Sequence, residues 1–461
     1  MHIITIETKS LGDRSYLVHD GTAALVIDPQ RDIDRVEQAL AEAGVRLTHV
    51  AETHIHNDYL SGGLELARRH GAAYLVNAAD EVSFERHPVT DGDEFAVGEL
   101  TVRAVATPGH TENHLAYLVS HDGQRAVFSG GNLLFGSVGR TDLVDPTITA
   151  KLTHAQYQSA RSLAETAGDE ATLHPTHGFG SFCSSGPATG QDSSTIGEQR
   201  ELNHALTDPD EQHFVEELLD GLTGYPSYYA HMSALNGKGV DPVDLTVPAP
   251  VDPAELRRRV ADGGWVVDLR NRVAFAGGHL AGTLSFEHGP MFTSFLGWVV
   301  PWGDPITLVG SEEQVTAAVR DLSRIGIDHP EVAIGEDVAA LGDGLPMMSY
   351  PVVGWSDLVT ARQADEMDVL LDTRRDDEWA AGHIDGAVHI PLHELPDRLD
   401  DVPSGRVWVH CGTGYRASTA ASILHRAGRD VRHINQEYAA AGSSGLMTVT
   451  GELPLNWKRE R

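Results

Sequence analysis

Short apolar runs separated by polar turns open the chain and predict buried strands. Residues 3–6, 16–18 and 24–27 are such runs, and each has the length of a strand. Residues 33–43 follow with the pattern of a helix, and they lead to another strand-like run at 49–51. The first half of the chain is therefore predicted to belong to the α/β class.

The second half carries one α/β pattern twice. Residues 265–270 read Trp-Val-Val-Asp-Leu-Arg, and Gly-His-Leu-Ala-Gly-Thr follows at 278–283. Residues 369–374 read Val-Leu-Leu-Asp-Thr-Arg, and Gly-His-Ile-Asp-Gly-Ala follows at 382–387. Repetition of one pattern predicts two copies of one structural unit. A stretch at 236–253, rich in Gly, Pro and Val, is the predicted linker before them.

The later copy places a cysteine at a sharp turn. The apolar run 407–409 predicts a strand, the hexapeptide Cys-Gly-Thr-Gly-Tyr-Arg follows at 411–416, and 417–424 has a helical pattern. The backbone N–H groups of such a loop, together with the helix N-terminus, stabilise an anion on sulfur. Cys411 is therefore the predicted nucleophile, suited to holding a sulfur atom as a persulfide, and Arg416 is predicted to close the loop as a fixed cation.

The later copy resembles the rhodanese (sulfurtransferase) family over about residues 353–445. The resemblance rests on the Asp-x-Arg and Gly-His-Ile-x-Gly-Ala segments and on the short loop, in which four residues separate Cys411 from Arg416. It implies catalysis by these two residues. It also implies substrate contacts from the loop and from the Asp-x-Arg segment, namely Gly412, Thr413, Gly414, Tyr415, Asp372 and Arg374. The earlier copy reads Gly-Ser-Glu at 310–312, without a thiol or a closing arginine, and is expected to be inactive.

Three turns in the first half carry histidines and predict metal ligands. The segment Thr-His-Ile-His-Asn-Asp-Tyr follows a strand-like run, and His54, His56 and Asp58 alternate along it. His110 lies in a Pro-Gly-His-Thr turn, and His177 lies in a Pro-Thr-His-Gly turn. Imidazole and carboxylate ligands suit Zn, Fe or Mn. These residues are therefore candidate ligands of one metal centre or two.

The histidine turns resemble those of the metallo-β-lactamase fold, an αββα sandwich that binds metal at one edge, over about residues 1–185. The segment Gly-Ser-Val-Gly-Arg-Thr-Asp at 136–142 resembles the persulfide dioxygenases in particular. That resemblance implies Fe(II), one per chain, bound by His54 and His110, with O2 as the oxidant. It implies a small thiol persulfide as the substrate, oxidised to sulfite, and it implies that Arg140 stabilises the anionic part of this substrate.

The whole chain therefore resembles a fusion of a persulfide dioxygenase with a sulfurtransferase, in an α/β multidomain architecture. Residues 1–240 are expected to form a metallo-β-lactamase-like αββα domain with a C-terminal helical extension. Residues 251–345 are expected to form a degenerate rhodanese-like domain, and residues 353–461 an active one. The expected partners are a thiol persulfide, thiosulfate and sulfite, and the resemblance implies a homodimer.

Two positions depart from the metal-binding pattern. Gly131 stands where the dioxygenases have an aspartate ligand, and Tyr59 stands where the binuclear hydrolases of this fold have a histidine. Replacement ligands lie nearby in the sequence: Asn132, His56, Asp58 and His114. Three outcomes stay open at this point: a mononuclear iron site, an altered hydrolase-like site that takes zinc, and a metal-free domain. The alternative functions are thus a sulfurtransferase with a vestigial metallo-domain and a thioester hydrolase.

Composition narrows the class of partner. The chain has 34 basic and 67 acidic residues, a formal net charge of −33, and such a surface repels nucleic acid and anionic membranes. Cys183 and Cys411 are the only cysteines, which excludes a disulfide framework. Cys183 is expected to pack in the core rather than relay sulfur. The first residues lack the basic and apolar regions of a signal peptide, so a cytoplasmic location is predicted.

Overall fold

The computed structural model describes residues 1–342 and 344–450 and divides into two compact units. The first unit comprises Met1–Asp244 and Ser323–Gly326, and the second comprises Leu245–Leu322 and Ile327–Arg461. The end of the predicted third domain, at 451–461, lies outside the described residues, as does position 343. The three predicted domain boundaries stay a prediction.

The first sheet of the N-terminal unit has six strands in chain order. Its first three strands are antiparallel and the later pairs are parallel. The sheet and its helices consist of β1 (His2–Thr8), β2 (Asp13–His19), β3 (Ala23–Ile27), α1 (Asp34–Ala43), β4 (Arg46–Ala51), α2 (Gly63–His70), β5 (Ala73–Asn77) and β6 (His87–Val89). The strands and the helix expected in the first 51 residues are present.

The second sheet also has six strands, in the order β12-β11-β10-β9-β8-β7, and only β10 and β11 pair in parallel. The elements of this half are β7 (Glu94–Val97), β8 (Leu100–Ala106), β9 (Leu115–His121), β10 (Gln124–Gly130), α3 (Thr149–Ala167), β11 (Thr172–Pro175), β12 (Ser194–Thr195), α4 (Ile196–Leu202), α5 (His204–Thr207), α6 (Glu211–Gly221) and α7 (Tyr229–Lys238). The predicted linker at 236–253 starts three residues too early, because α7 continues to Lys238 and is capped by Gly239.

Three hydrophobic cores make this unit a four-layer sandwich. Leu25 of the first sheet packs with Tyr117 of the second in a core between the sheets. Leu40 of α1 belongs to an outer core on the first sheet, and Phe214 of α6 belongs to an outer core on the second. Burial of each such side chain contributes roughly 1.5–3 kcal/mol. The predicted αββα architecture is confirmed.

The second unit contains two parallel sheets, one from each copy of the repeat. The first has the strand order β15-β13-β16-β17, with a small β14-β18 pair. Its elements are α8 (Pro253–Ala261), β13 (Trp265–Asp268), α9 (Arg272–Gly277), β14 (His279–Leu280), β15 (Leu284–Ser285), α10 (Phe292–Val299), β16 (Ile306–Gly310), α11 (Glu312–Ser323), β17 (Glu331–Ile334), α12 (Val338–Gly342) and β18 (Met347–Met348).

The second parallel sheet has the strand order β19-β24-β23-β20-β22, with a small β21-β25 pair. Its elements are β19 (Val352–Val353), α13 (Trp355–Gln363), β20 (Val369–Asp372), α14 (Asp376–Ala381), β21 (His383–Ile384), β22 (Val388–His389), β23 (Val407–His410), α15 (Tyr415–Arg426), β24 (Val431–Ile434), α16 (Ala440–Ser443) and β25 (Thr448–Val449). Two 3-10 turns lie at Leu395–Asp397 and Leu399–Asp401.

The Asp-x-Arg segments adopt the same geometry in both copies. Arg270 donates to Asp268 and to the carbonyl of Gly278 at 2.9 Å. Arg374 donates in the same way to Asp372 and to the carbonyl of Gly382 at 2.8 Å. Each arginine therefore ties the end of a strand to the glycine eight residues further on. Within the described residues, no helix is long and apolar enough to cross a membrane.

Candidate metal centre and cysteine loop

The histidine turns of the first unit lie at one edge of the sandwich. His54 follows β4, His110 follows β8 and His177 follows β11. Asp28 follows β3 in a left-handed conformation, with φ of 52°, which is uncommon for a residue other than glycine. Its carboxylate accepts from the Thr53 N–H at 2.7 Å and from the Thr53 hydroxyl at 2.8 Å. Asp28 thereby fixes the turn that carries His54.

Three of the predicted ligands converge on one point. One nitrogen each of His54, His110 and His177 lies within 4.8 Å of the other two, and all three side chains are buried. The ring centroids of His54 and His110 are 4.8 Å apart, and those of His110 and His177 are 5.3 Å apart.

The hydrogen bonds of these rings leave every Nε2 atom with an unshared electron pair. His110 Nδ1 donates to the carbonyl of Arg140 at 2.7 Å. His177 Nδ1 donates to Asp13 at 2.9 Å. The Thr53 hydroxyl gives its proton to Asp28, so it accepts from His54 Nδ1 at 2.9 Å. A neutral imidazole with a protonated Nδ1 has a bare Nε2.

The bare nitrogens face one another. His54 Nε2 lies 3.5 Å from His177 Nε2, and His110 Nε2 has no hydrogen-bond partner among the described residues. Burial, reinforced by the neighbouring histidines, lowers the pKa of His54 and His110 well below the ordinary value, so protons do not fill the gap. A divalent cation bonded to all three nitrogens satisfies them. The residues present therefore fit a divalent metal ion.

His56 and Asp58 lie beside this centre. His56 Nε2 lies 3.2 Å from Asp28 and 3.3 Å from Glu52. Although burial opposes the charge, these carboxylates raise the pKa of His56 to about 10, so this ring is a cation in an ion pair. Asp58 lies 3.3 Å from His177 Nδ1, and burial, with the nearby Asp13, raises the pKa of Asp58 to about 7. One ligand atom each of His56, Asp58 and His177 also lies within 4.8 Å of the other two, and this group could hold a metal once His56 loses its proton.

The structure explains why position 131 carries no ligand. A Cβ atom on Gly131 would lie 2.3 Å from His110 Cδ2, so a carboxylate here requires His110 to move. Asn132 turns its amide to the Ser159 hydroxyl at 2.8 Å. His114 accepts from the Gly131 N–H at 3.0 Å and bonds the Thr107 hydroxyl at 2.8 Å, so both of its nitrogens are engaged. His114 therefore does not replace the missing aspartate, whereas Asn132 Oδ1 has no hydrogen-bond partner among the described residues and stays a candidate ligand.

Arg140 and Cys183 are deeply buried. The Arg140 guanidinium donates to Asp142 at 2.7 and 2.9 Å, to the Phe182 carbonyl at 3.1 Å and to the Thr223 carbonyl at 2.6 Å. Its visible contribution to the centre is the carbonyl that orients His110. Contact of Arg140 with substrate stays a prediction. Cys183 is fully buried, and burial raises its pKa well above the ordinary value.

The cysteine loop of the second unit links β23 to α15. Cys411 is 1% exposed, and its Sγ accepts from the Gly414 N–H at 3.1 Å. Gly414 has φ of 99°, and a Cβ there would lie 2.3 Å from Asn435 Oδ1, so only glycine fits. Thr413 is exposed at the tip of the loop. The loop therefore presents its sulfur at the N-terminal end of a helix, where an anion is stabilised.

Glu378 holds Arg416 in place over the loop. The guanidinium donates to both carboxylate oxygens, one of them at 2.8 Å. Although burial opposes the charge of Arg416, the hydrogen bonds that it donates to Glu378 raise its pKa. A Cβ on Gly412 would lie 3.1 Å from Arg416 Nη2, so the cation lies against the loop backbone.

Asp372 and Arg374 lie at the end of β20, beside the strand that leads to Cys411, and not in the loop itself. Both are buried and bind each other, and the Arg374 guanidinium stacks 3.6 Å from the ring of Tyr438. His410, next to Cys411, lies 3.6 Å from Asp372. The pair thus supports the end of the strand that carries the cysteine, and its contact with substrate stays a prediction.

Aromatic residues from the earlier repeat border the cysteine loop. The ring of Phe295 lies 5.9 Å from that of Tyr415 and 5.7 Å from the Arg416 guanidinium. Trp298 stacks on His393 with ring centroids 4.5 Å apart. Both aromatic residues belong to α10, in which every residue is buried. The copy that lacks a nucleophile therefore covers the copy that has one.

Sequence reasoning missed several of these residues. Asp13 and Asp28 orient histidines far along the chain, Glu378 anchors Arg416, and α10 reaches the loop of the other repeat. The one local signal was the Glu378-Trp379 pair, which stands just before the Gly-His-Ile-x-Gly-Ala segment of the later copy. The others are brought to their sites only by the fold.

Comparisons with known protein families match two parts of the chain. Residues 13–177 match the metallo-beta-lactamase superfamily, and residues 356–441 match the rhodanese-like domain. A hydroxyacylglutathione hydrolase from Acidiphilium cryptum (strain JF-5) is 37% identical over 128 residues, which are 27% of this chain and 51% of that protein. The chain thus spans about half the length of this curated relative.

Two solved structures are also similar. A metallo-beta-lactamase from Staphylococcus aureus subsp. aureus COL is 26% identical in sequence and superposes with a TM-score of 0.66. The superposition covers 73% of this chain and 99% of that one. ETHE1 from Myxococcus xanthus is 28% identical in sequence and superposes with a TM-score of 0.44. The superposition covers 51% of this chain and 98% of that one. The share covered by the Staphylococcus structure is larger than the first compact unit, so that likeness extends into the second.

The free lone pair of His177 distinguishes it from His114. His177→Gln should lower the affinity for a divalent metal by more than about tenfold, because one ligand is lost. His114→Gln should retain the metal, because both nitrogens of His114 already have partners. Metal content after dialysis, measured by inductively coupled plasma mass spectrometry, checks both variants. Equal retention in the two would contradict the three-histidine centre.

The space around Gly131 gives a second prediction. Gly131→Ala should displace the His110 ring and reduce metal content, because the new Cβ overlaps that ring. Gly221→Ala is the matched control, since a Cβ at that position meets nothing within 4 Å. Metal content and the thermal unfolding midpoint are measured for both. An unchanged metal content in Gly131→Ala would show that His110 is not a ligand.

The anchoring of Arg416 gives a third prediction. Glu378→Ala should slow sulfur loading of Cys411 from thiosulfate roughly 10- to 100-fold, since a hydrogen bond to a charged group contributes about 1.5–3 kcal/mol. Asp377→Ala is the matched control, because Asp377 pairs with Arg375 at 2.9 Å on the same helix. Stopped-flow fluorescence or quenched mass spectrometry measures the rate. A similar loss in both variants would point to general damage instead.

Proposed function

We propose that this protein, in which a metallo-β-lactamase domain precedes a rhodanese-like domain, oxidises a small thiol persulfide to sulfite and transfers sulfane sulfur through Cys411. The observation that carries the proposal is the set of bare Nε2 atoms on His54, His110 and His177. The cysteine loop in the same chain would act on the same two forms of sulfur, sulfane sulfur and sulfite.

The three histidines suit a thiol persulfide as substrate. Ferrous iron held by them would activate O2 for oxidation of the outer sulfur. Three neutral imidazoles would leave a bound divalent ion its full positive charge, which would attract a persulfide anion. The net reaction consumes RSSH, O2 and water and yields RSH, sulfite and protons. Asp13 and Arg140 contribute by holding the Nδ1–H of His177 and His110, which keeps each Nε2 directed inward.

The cysteine loop supplies sulfur transfer. Cys411 attacks the outer sulfur of thiosulfate, a sulfur–sulfur bond forms on Cys411, and the bond to the sulfonate breaks with release of sulfite. The Gly414 N–H and the cation of Arg416 stabilise the resulting persulfide anion. In reverse, sulfite takes the outer sulfur of the Cys411 persulfide and leaves as thiosulfate. The product of the metal centre is therefore a substrate of the loop.

A second candidate is hydrolysis of a thioester of a small thiol. It is favoured by the second group of ligands, His56, Asp58 and His177, and by the similarity to a hydroxyacylglutathione hydrolase. Tyr59 opposes it, because its hydroxyl lies 3.0 Å from His56 Nε2, where no second imidazole is available. This function requires a second metal per chain and turnover without O2.

Metal content and O2 consumption decide between the candidates. The full chain is purified without air, its metals are determined, and O2 uptake is followed after addition of glutathione persulfide. We expect about one iron per chain and persulfide-dependent O2 uptake with sulfite as the product. Two zinc ions per chain and hydrolysis of a glutathione thioester would replace the proposal with the second candidate.

The two sites should work independently. Cys411→Ser should abolish sulfur loading while leaving O2 uptake intact, because serine cannot carry a sulfane sulfur. Cys183→Ala is the control, since it removes the other cysteine and should leave loading unchanged. Intact-protein mass spectrometry after incubation with thiosulfate detects the added sulfur atom. Loss of O2 uptake in Cys411→Ser would contradict independent sites.

A further inference from the structure

We propose a second divalent-cation site on the first unit, formed by His204, Asp208, His213 and Glu217. One ligand atom from each of these residues lies within 4.8 Å of all the others. Two imidazoles and two carboxylates are a ligand set that zinc takes in tetrahedral geometry. The cluster shares no residue with the centre of His54, His110 and His177 and is independent of the proposed function.

The spacing of the ligands follows from two consecutive helices. His204 begins α5 and Asp208 follows its last residue, four positions later. His213 and Glu217 lie four positions apart on α6. Residues at this spacing share one face of a helix, so His213 and Glu217 lie on the same side of α6, whereas Asp208 caps the C-terminal end of α5 in an extended conformation. The short turn between the helices brings the two pairs together.

The distances within the cluster are close to those of a metal site. His204 Nε2 lies 3.2 Å from Asp208 Oδ2 and 3.2 Å from Glu217 Oε2. Ligand atoms about 2.0–2.1 Å from a tetrahedral zinc ion are roughly 3.3 Å apart. His213 Nδ1 is closer, at 2.7 Å from Asp208 Oδ2, and a small rotation of this exposed ring supplies the difference.

The site is anchored to the protein core. The Asp208 carbonyl accepts from the Tyr157 hydroxyl at 2.9 Å and from the Arg161 guanidinium. The amide of Asn203, next to His204, donates to the Leu134 carbonyl at 3.1 Å. The Asp208 side chain is 9% exposed, so a nearly buried carboxylate lies between two imidazoles. These contacts hold His204 and Asp208 in place, while His213 and Glu217 are exposed, so binding a cation orders only the latter two side chains.

Protection from chemical modification tests the site residue by residue. The full chain is freed of metal with a chelator, then treated with diethyl pyrocarbonate with and without Zn²⁺, and histidine adducts are mapped by mass spectrometry. Zn²⁺ should protect His204 and His213. His154 is the internal control, because it pairs with a single carboxylate, Glu211, and its side chain is 43% exposed, against 42% for His204.

Equilibrium dialysis against Zn²⁺ gives a second readout. The His204→Ala/His213→Ala variant should bind about one zinc per chain fewer than the parent, and His154→Ala should bind as many as the parent. Equal zinc binding by the parent and the double variant would overturn the proposal. Equal modification of His204 and His154 in the presence of Zn²⁺ would overturn it as well, and the cluster would then be an ion-pair network of histidines and carboxylates.

Discussion

Three unshared electron pairs meet at one point among buried side chains, and the first unit depends on how they are satisfied. The nitrogens of His54 and His177 lie 3.5 Å apart, and neither carries a proton toward the other. Burial disfavours protonation as a remedy, because it lowers the pKa of His54. A divalent cation would satisfy all three nitrogens. The fold maintains this arrangement because each Nδ1 atom is held by a separate part of the chain.

Carboxylates surround the histidines one hydrogen bond further out. Asp28 binds the turn before His54, also accepts from Thr176 next to His177, and pairs with His56. Asp13 orients His177 directly. Negative charge is thus present, but it acts through imidazoles rather than on the metal position itself. Such outer partners set ring orientation and ligand basicity, and their loss typically costs 10- to 100-fold in metal affinity, roughly.

The sequence predicted the elements and the chemistry of single turns better than the contacts between them. Strand-like runs and histidine turns are local patterns, so β3, β4 and the turn of His110 could be read directly. Asp13 lies 164 positions from His177, and nothing near either residue signals their pairing. The contact of Phe295 with Tyr415 likewise depends on how the two repeats pack. Long-range packing decides such contacts, and a single sequence considered without an alignment carries no signal for that packing.

The glycine at position 131 is best understood together with the carboxylates beyond the histidines. A carboxylate at 131 would halve the charge of a divalent ion, but its Cβ would overlap His110. Here burial raises the pKa of both Asp13 and Asp58 to about 7, which favours the neutral form of each carboxyl. A divalent ion held by His177 would favour the charged form of both carboxyls, which lie next to His177 Nδ1. Negative charge near the histidines would thus come from carboxylates that contact His177 rather than from a side chain at position 131.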